Sequence, residues 1–329
     1  MTAPADRTTT PVGETMTFDE AVAAIDRAAS LAELGGEGAY RKLLRIVHPD
    51  VAPAAVRATA TRVAAKLTGM AGKTRTLTTR RATYRLGDVI ARGDLADLIE
   101  LDDDKLLKLP RRPADNDLMR AEAAALTRLD RDGDPRHRAY APRLIESFVQ
   151  EDSAGARREA IVLERLAGFV PLTGMLHRLD ARDVAWMWRR LLTALGWAHR
   201  AGVVHGAVLP EHVLIQPEEH GVVLVDWCYS VAPGTPVPAV VSRHRATYPP
   251  EVLAQRPATA ATDIYQASGL MLALIEEPPG AIRRFVAGCR YRAPRMRPQD
   301  AWQLLAEFDE LLEKWYGPRK FRPFTVPAA

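Results

Sequence analysis

The chain has 329 residues, room for about two domains, and its 47% apolar content is that of a globular protein with a real core. Apolar runs such as 269–275 fall far short of the ~20 residues a bilayer span needs, and the opening MTAPADRTTT lacks the apolar stretch of a secretory leader. Two cysteines, Cys228 and Cys289, show neither metal-like nor framework spacing, so a reducing cytoplasm is the expected setting. The net charge is only +4, yet between residues 41 and 85 eleven Lys or Arg stand against one acid, Asp50. Such a face suits an acidic protein surface better than nucleic acid, because aromatic residues are not interleaved with the charges.

Residues 1–15, rich in Thr, Pro and Ala, are expected to be a disordered tail. Thr17 followed by Asp19 and Glu20 suits a helix start, with Phe18, Val22 and Ile25 on one face. Gly35, Gly36 and Gly38 interrupt that pattern. Tyr40, Leu43, Leu44 and Val47 then recur at helical spacing, with Arg41, Lys42 and Arg45 on the opposite face. The helix should end at His48-Pro49-Asp50, since a proline pushes its predecessor out of the α region. A third helix is expected from near Pro53, with Val56, Ala60, Val63, Leu67 and Met70 as its apolar seam.

Two amphipathic helices joined by His-Pro-Asp, the first of them basic, resemble a bacterial J-domain over residues 16–72. The resemblance implies that His48, Pro49 and Asp50, with Arg41, Lys42 and Arg45 as the electrostatic face, engage a DnaK-type chaperone and stimulate its ATPase. The usual opening Tyr-x-x-Leu-Gly signature is not evident. The plainer alternative is a helical hairpin that serves only as an interaction module. Residues 73–83, polar and basic, are read as a linker.

From residue 84 the pattern changes. Residues 90–98 hold one glycine, Gly93, between Ala91 and Ala96, and 105–109 alternate as a strand. Lys108 alternates with Leu107 and Leu109, Lys105 being the other register. Residues 116–129 are helical and carry Glu122; 144–149 and 159–163 read as strands, with a crossing segment at 164–166. The long helix expected over 181–201 holds Trp186, Trp188 and Trp197 as core residues, and Gly202 stops it. The stretch 203–230, VVHGAVLPEHVLIQPEEHGVVLVDWCYS, reads as two short buried strands with loops at their ends. An irregular Pro- and Gly-containing segment follows. Tyr248-Pro249-Pro250-Glu251 closes it, and Asp263 opens an apolar helix. Arg297 lies in PRMRPQDAW, Gly317-Pro318 ends the last helix, and 319–329 form a tail.

This order resembles the protein kinase family over roughly residues 84–316. The resemblance implies an α+β fold: the N-terminal helical J-like hairpin, then a bilobal protein-kinase-like domain at 84–318 with a small β-rich lobe and a large helical lobe. By the same resemblance Lys108 contacts nucleotide phosphates and pairs with Glu122. Gly93 is the surviving glycine of the phosphate loop, and Asp226 is the metal-binding acid. ATP and Mg2+ are the implied cofactors. Asp263 would steady the catalytic-loop backbone, and Arg297 would pair with Glu251.

Three positions depart from the pattern. The catalytic acid falls on Ala207, the loop lysine on Leu209, and the metal-binding asparagine on His212. A general base is worth about 10²–10⁴ in rate, or roughly 3–5 kcal/mol of barrier. The expected function is therefore a catalytically impaired pseudokinase joined to a J-like module. It would be a cytoplasmic scaffold or co-chaperone adaptor for a protein client, with ATP as a conformational ligand. The alternative is an active Ser/Thr kinase, or another ATP-using transferase, whose acid has moved to Glu211 or Glu219. A nucleic-acid adaptor acting through residues 41–85 is the third reading.

Overall fold

The computed structural model describes residues 16–29, 31, 33–70, 76–102, 104–152 and 155–327. The tail expected at 1–15, and residues 73–75 of the expected linker, lie outside them. Two compact units meet between Leu77 and Thr78 along the chain.

Three helices make the first unit. Helix α1 (Phe18–Arg27) begins with a capping box: the Thr17 hydroxyl accepts from the Glu20 N–H, and the Glu20 carboxylate accepts from the Thr17 N–H at 2.8 Å. Helix α2 (Gly36–Val47) stops at His48, whose extended backbone precedes Pro49. A single 3₁₀ turn, Ala54–Val56, leads into α3 (Arg57–Met70), so the third helix starts a turn later than its apolar seam suggests. Ile25, Leu43, Val47, Val63 and Leu67 fill the space between the helices. Arg62 makes a two-pronged ion pair with Asp26, at 2.7 and 2.8 Å, fixing α3 against α1.

A six-stranded sheet follows, its first strand lying at the Leu77–Thr78 division. Its strands are β1 (Thr76–Thr78), β2 (Thr83–Arg92), β3 (Ala96–Leu101), β4 (Lys105–Pro110), β5 (Leu144–Glu151) and β6 (Arg157–Glu164), in the order β1-β2-β3-β4-β6-β5. Strand β1 falls inside the segment read as a linker. Pairing from β2 through β5 is antiparallel, and Lys108 lies opposite Leu98 on one side and Ile161 on the other. Helix α4 (Asn116–Asp132) packs on this sheet and turns Met119, Glu122, Leu126 and Leu129 inward.

Beyond β6 the chain becomes helical around a small sheet, β7 (Val170–Pro171), β8 (Val213–Gln216) and β9 (Gly221–Leu224). Helix α5 (Ala181–Arg200) is the axis of this part, with Trp188 and Trp197 fully buried. The short α6 (Pro250–Leu253) precedes α7 (Ala260–Leu274), α8 (Gly280–Cys289) and α9 (Ala301–Tyr316), and α5 packs against α7 and α9. Helix α7 is apolar almost all round, as a helix buried on every side must be. Among the described residues no helix is long and apolar enough to cross a membrane.

The result is a mixed helix-and-sheet unit: an antiparallel sheet with one helix, followed by a helical part carrying a β-hairpin. Strand β4, helix α4 and the two ends of the β8–β9 hairpin bring the chemistry-bearing residues together.

Candidate functional site

Lys108 projects from β4 with only 5% of its surface exposed, and Glu122 on α4 is fully buried. The Lys108 ammonium donates to Glu122 Oε2 at 2.6 Å and also to Asp226 Oδ1, joining a strand, a helix and the end of β9. Burial opposes charge on Lys108. The Asp226 and Glu122 carboxylates outweigh it and hold the ammonium well above its usual range. Burial raises Glu122 above the ordinary carboxylate value despite Lys108. Asp226 goes the other way: burial works to raise it, but Lys108 and His212 hold it well below. Its backbone sits in the left-handed region at φ 60°, unusual for a residue other than glycine and common where geometry serves a site.

His212 completes the cluster. Its Nε2 lies 3.1 Å from Asp226 Oδ2, and its Nδ1 lies 2.8 Å from the carbonyl oxygen of Ala207. Both neighbours are acceptors, an arrangement that favours hydrogen on both ring nitrogens. Burial resists the charged ring, but the Asp226 carboxylate and the Ala207 carbonyl raise His212 above the ordinary histidine value.

His205 is the opposite case. Its ring faces the Val225 carbonyl at 2.9 Å through Nε2, and its Nδ1 accepts from the Ala207 N–H at 3.3 Å. One donor and one acceptor define a neutral tautomer. Burial accordingly depresses its pKa to about 4.

Asp263, at the start of α7, accepts from the backbone N–H groups of His205 and Gly206, each at 2.8 Å, and contacts His199 Nε2 at 2.8 Å. Gly206 itself has φ +77°, and a Cβ there would come within 2.8 Å of the Tyr229 carbonyl oxygen. Arg297 grips Glu251 with two bonds, at 2.6 and 2.9 Å, in a fully enclosed setting.

Ala207 is fully buried, packed with Met119, Leu209, Cys228 and Tyr229. Two acids were candidates to replace the missing one. Glu211 Oε1 accepts from Arg243 Nη2 at 2.6 Å and lies 2.8 Å from His244 Nε2. Glu219 is exposed in the β8–β9 turn, the far end of a hairpin of four-residue strands, some 13 Å from Asp226 at ~3.3 Å per residue. That placement removes Glu219 as a relocated base.

Gly93 sits in the three-residue turn joining β2 and β3 and donates to the Ala96 carbonyl at 2.9 Å. Ala96 points into the core, and Asp94 at the tip is held by Arg243. In the crossing segment, the N–H groups of Glu164 and Arg165 are committed to Arg143 and Asp104 carbonyls, at 3.1 and 2.9 Å. A backbone donor for a ligand would have to come from Leu166 onward.

Magnesium is a poor fit to these residues. Ligand atoms of Glu122, Asp226 and Cys228 lie within 4.8 Å of one another. One of the three is a thiol that burial keeps protonated, whereas magnesium wants six hard oxygens. Both Asp226 oxygens are already engaged, by Lys108 and His212, and Glu122 is taken by Lys108.

The chaperone-facing residues expected from the sequence lie in the first unit. Arg41, Lys42 and Arg45 are exposed on α2. His48 and Asp50 lie in the loop after it, with the Asp50 N–H donating to His48 Nδ1 at 3.3 Å and Pro49 between them. Sequence reasoning missed the bridge that His212 makes between Asp226 and the Ala207 carbonyl, and the Arg243 network. For His212 a signal existed, a basic residue where a carboxylate's metal partner belongs. For Arg243 none did, because residues 231–249 lack periodicity.

The model of the lipopolysaccharide kinase (Kdo/WaaP) family matches residues 104–228. The chain is also 26% identical, over 86 residues, to casein kinase II subunit alpha' of Saccharomyces cerevisiae (strain ATCC 204508 / S288c), a match covering 26% of this chain and 25% of that protein. It thus spans about a quarter of that relative's length. The family match runs from the turn before β4 to Cys228 and contains Lys108, Glu122, His212 and Asp226. Over residues 104–228, therefore, the chain has a protein-kinase-like fold.

Proposed function

We propose that this kinase-fold protein binds a nucleoside triphosphate between its lobes and does not transfer the γ-phosphate. One observation carries the reading: the position of the acceptor-side acid is a buried methyl group, Ala207. Glu211, the acid nearest in sequence, is engaged by Arg243 and His244. The groups that hold such a fold together, Asp263, Glu251 and Arg297, all have their partners. Incubation of the full chain with γ-labelled ATP and a panel of protein and lipid-headgroup acceptors tests this. Label retained on ATP is expected; Asp226-dependent transfer to any acceptor would overturn the reading.

The N-terminal unit is read as a J-like module that recruits a DnaK-type chaperone. The exposed basic face of α2 beside His48-Pro49-Asp50 supports this. The whole would act as a cytoplasmic adaptor that brings the chaperone to a protein client. Turnover of DnaK ATPase with wild type and His48→Gln is the check, and equal rates with both would remove the co-chaperone role.

A second reading, an active phosphotransferase, is favoured by the family match, whose name is that of a lipopolysaccharide kinase. It requires Glu211 to leave Arg243, and the same labelling experiment decides it.

A further inference from the structure

We propose that the helical part binds an amphiphilic anion, an apolar chain ending in a carboxylate, in a cavity of about 570 Å³ bordered by α7, α8 and the 208–210 loop. The site is separate from the nucleotide cleft, since none of Lys108, Glu122, His212 and Asp226 lines it.

The lining is mostly apolar. Val208, Leu209 and Leu270 are buried in it, and Leu272, Ala273 and Ile275 continue it to the end of α7. A cavity of this size falls in the range of roughly 300–1,000 Å³ that encloses a small organic molecule.

Two guanidinium groups stand in the same lining without a carboxylate. Arg283 donates through Nε to the Pro278 carbonyl at 2.9 Å, and Arg290 through Nη1 to the Tyr265 carbonyl at 2.8 Å. Neither makes an ion pair among the described residues, although the acid Glu276 also lines the cavity. Arg290 is held in place. The Tyr265 ring backs it at 3.9 Å, and a Cβ at Gly269 would collide with its Nη1, so glycine is what lets the guanidinium lie across α7. Burial depresses Arg290 below the usual guanidinium range, and nearby Arg297 adds to this. An anion on Arg290 would offset both.

Gln266 supplies a third donor. The residue is 2% exposed and lines the cavity. Its Oε1 accepts from the Val208 N–H at 3.3 Å, which leaves Nε2 buried without an acceptor among the described residues. An unmet buried donor is costly, and an anionic oxygen would meet it. The forked donors of a guanidinium match a carboxylate, and the apolar lining calls for a hydrocarbon body behind it. A neutral ligand would leave both arginines uncompensated.

The test titrates the full chain calorimetrically with decanoate below its micellar concentration. Saturable one-to-one binding is expected. The same chain without charge, 1-decanol, should bind at least tenfold more weakly, and acetate, the head without the chain, should not saturate. Arg290→Gln should weaken decanoate about tenfold, and Ala273→Trp, which fills the cavity, should abolish binding. Equal affinity for decanoate and decanol overturns the anionic head, and saturation by acetate overturns the apolar body. No saturation by decanoate overturns the whole proposal, and so does full binding in an Ala273→Trp protein with the wild-type urea midpoint. Displacement of decanoate by an acidic, apolar peptide of higher affinity would reassign the cavity to a protein partner and overturn it too. The three wild-type titrations need no variant, so a misfolded Arg290→Gln or Ala273→Trp cannot rescue the claim.

Discussion

Arg243 donates to Glu211 at 2.6 Å with one guanidinium nitrogen and reaches Asp94 in the β2–β3 turn with another. One side chain from the irregular segment therefore spans the mouth of the cleft, joining the sheet part to the helical part. It also occupies Glu211, the acid nearest Ala207 in sequence.

Removing this strap should loosen the segment without unfolding the protein. Arg243 and Asp94 are about half exposed, so the pairs are worth at most ~1 kcal/mol after solvent screening. In Arg243→Ala, amide exchange should quicken in peptides covering 93–95 and 231–247, with a fall in Tm of at most about 2–4 °C. γ-Labelled ATP should remain untransferred. Unchanged exchange in both segments would show that the contact restrains nothing.

Ala207→Asp tests whether one carboxyl group is enough to create a transferase. The Ala207 side chain is enclosed by apolar neighbours, so an ionised carboxylate there should cost several kcal/mol unless it stays protonated. Urea unfolding should show a large drop in midpoint and labelling no transfer. A stable variant with phosphate transfer would mean that the surrounding groups were competent all along.

The Glu251–Arg297 pair shares no contact with Lys108, His212 or Asp226 among the hydrogen bonds described and should be structural. Both partners are almost fully buried, and deleting Arg297 leaves the Glu251 carboxylate buried with only the Thr262 hydroxyl as a donor among the described residues. Arg297→Ala should lose roughly 3–5 kcal/mol in chemical denaturation. A loss below 1 kcal/mol would show that water reaches the site and that the closure is looser than its hydrogen bonds suggest.

Stability should also depend on pH through two histidines of opposite sign. His205 stays neutral in the fold, its pKa lowered to about 4, against about 6.5 when unfolded. Between those values the unfolded chain binds a proton that the fold refuses, so the contribution is full above pH ~6.5 and disappears as the pH falls toward 4, roughly 3 kcal/mol in all. His212, raised in the fold, contributes fully below the unfolded value and loses its contribution as the pH rises through the folded one. Urea midpoints of wild type and His205→Gln across pH 4–7 isolate the first term. Identical acid limbs would mean His205 does not titrate on unfolding.

Much of the fold was readable because its signals are local. Alternation marks β4, a 3.6-residue period marks α4 and α5, and Asp263 and Arg297 stand at recognisable offsets from the segments they bind. Lys108 and Glu122 are fourteen residues apart in sequence, and a strand followed by a helix sets them 2.6 Å apart. Contacts whose meaning is relational were not readable. The expected loss at His212 was an oxygen ligand, but only coordinates show both ring nitrogens facing acceptors. Arg243 reaches Asp94 across 149 residues from a segment without periodicity, so no pattern could pair them. Strand β1 was hidden for a similar reason: three residues, Thr76–Thr78, are too few to show alternation among basic neighbours.

Gly206 carries a consequence of its own. With φ +77° and the Tyr229 carbonyl 2.8 Å from where a Cβ would stand, the main chain has been moulded around hydrogen. Any larger residue there would first require the path from Tyr229 to Val237 to be redrawn. The loop that precedes Ala207 is thus set by backbone shape as well as by side-chain identity, and a single substitution at 206 meets a steric barrier before it can present a new functional group.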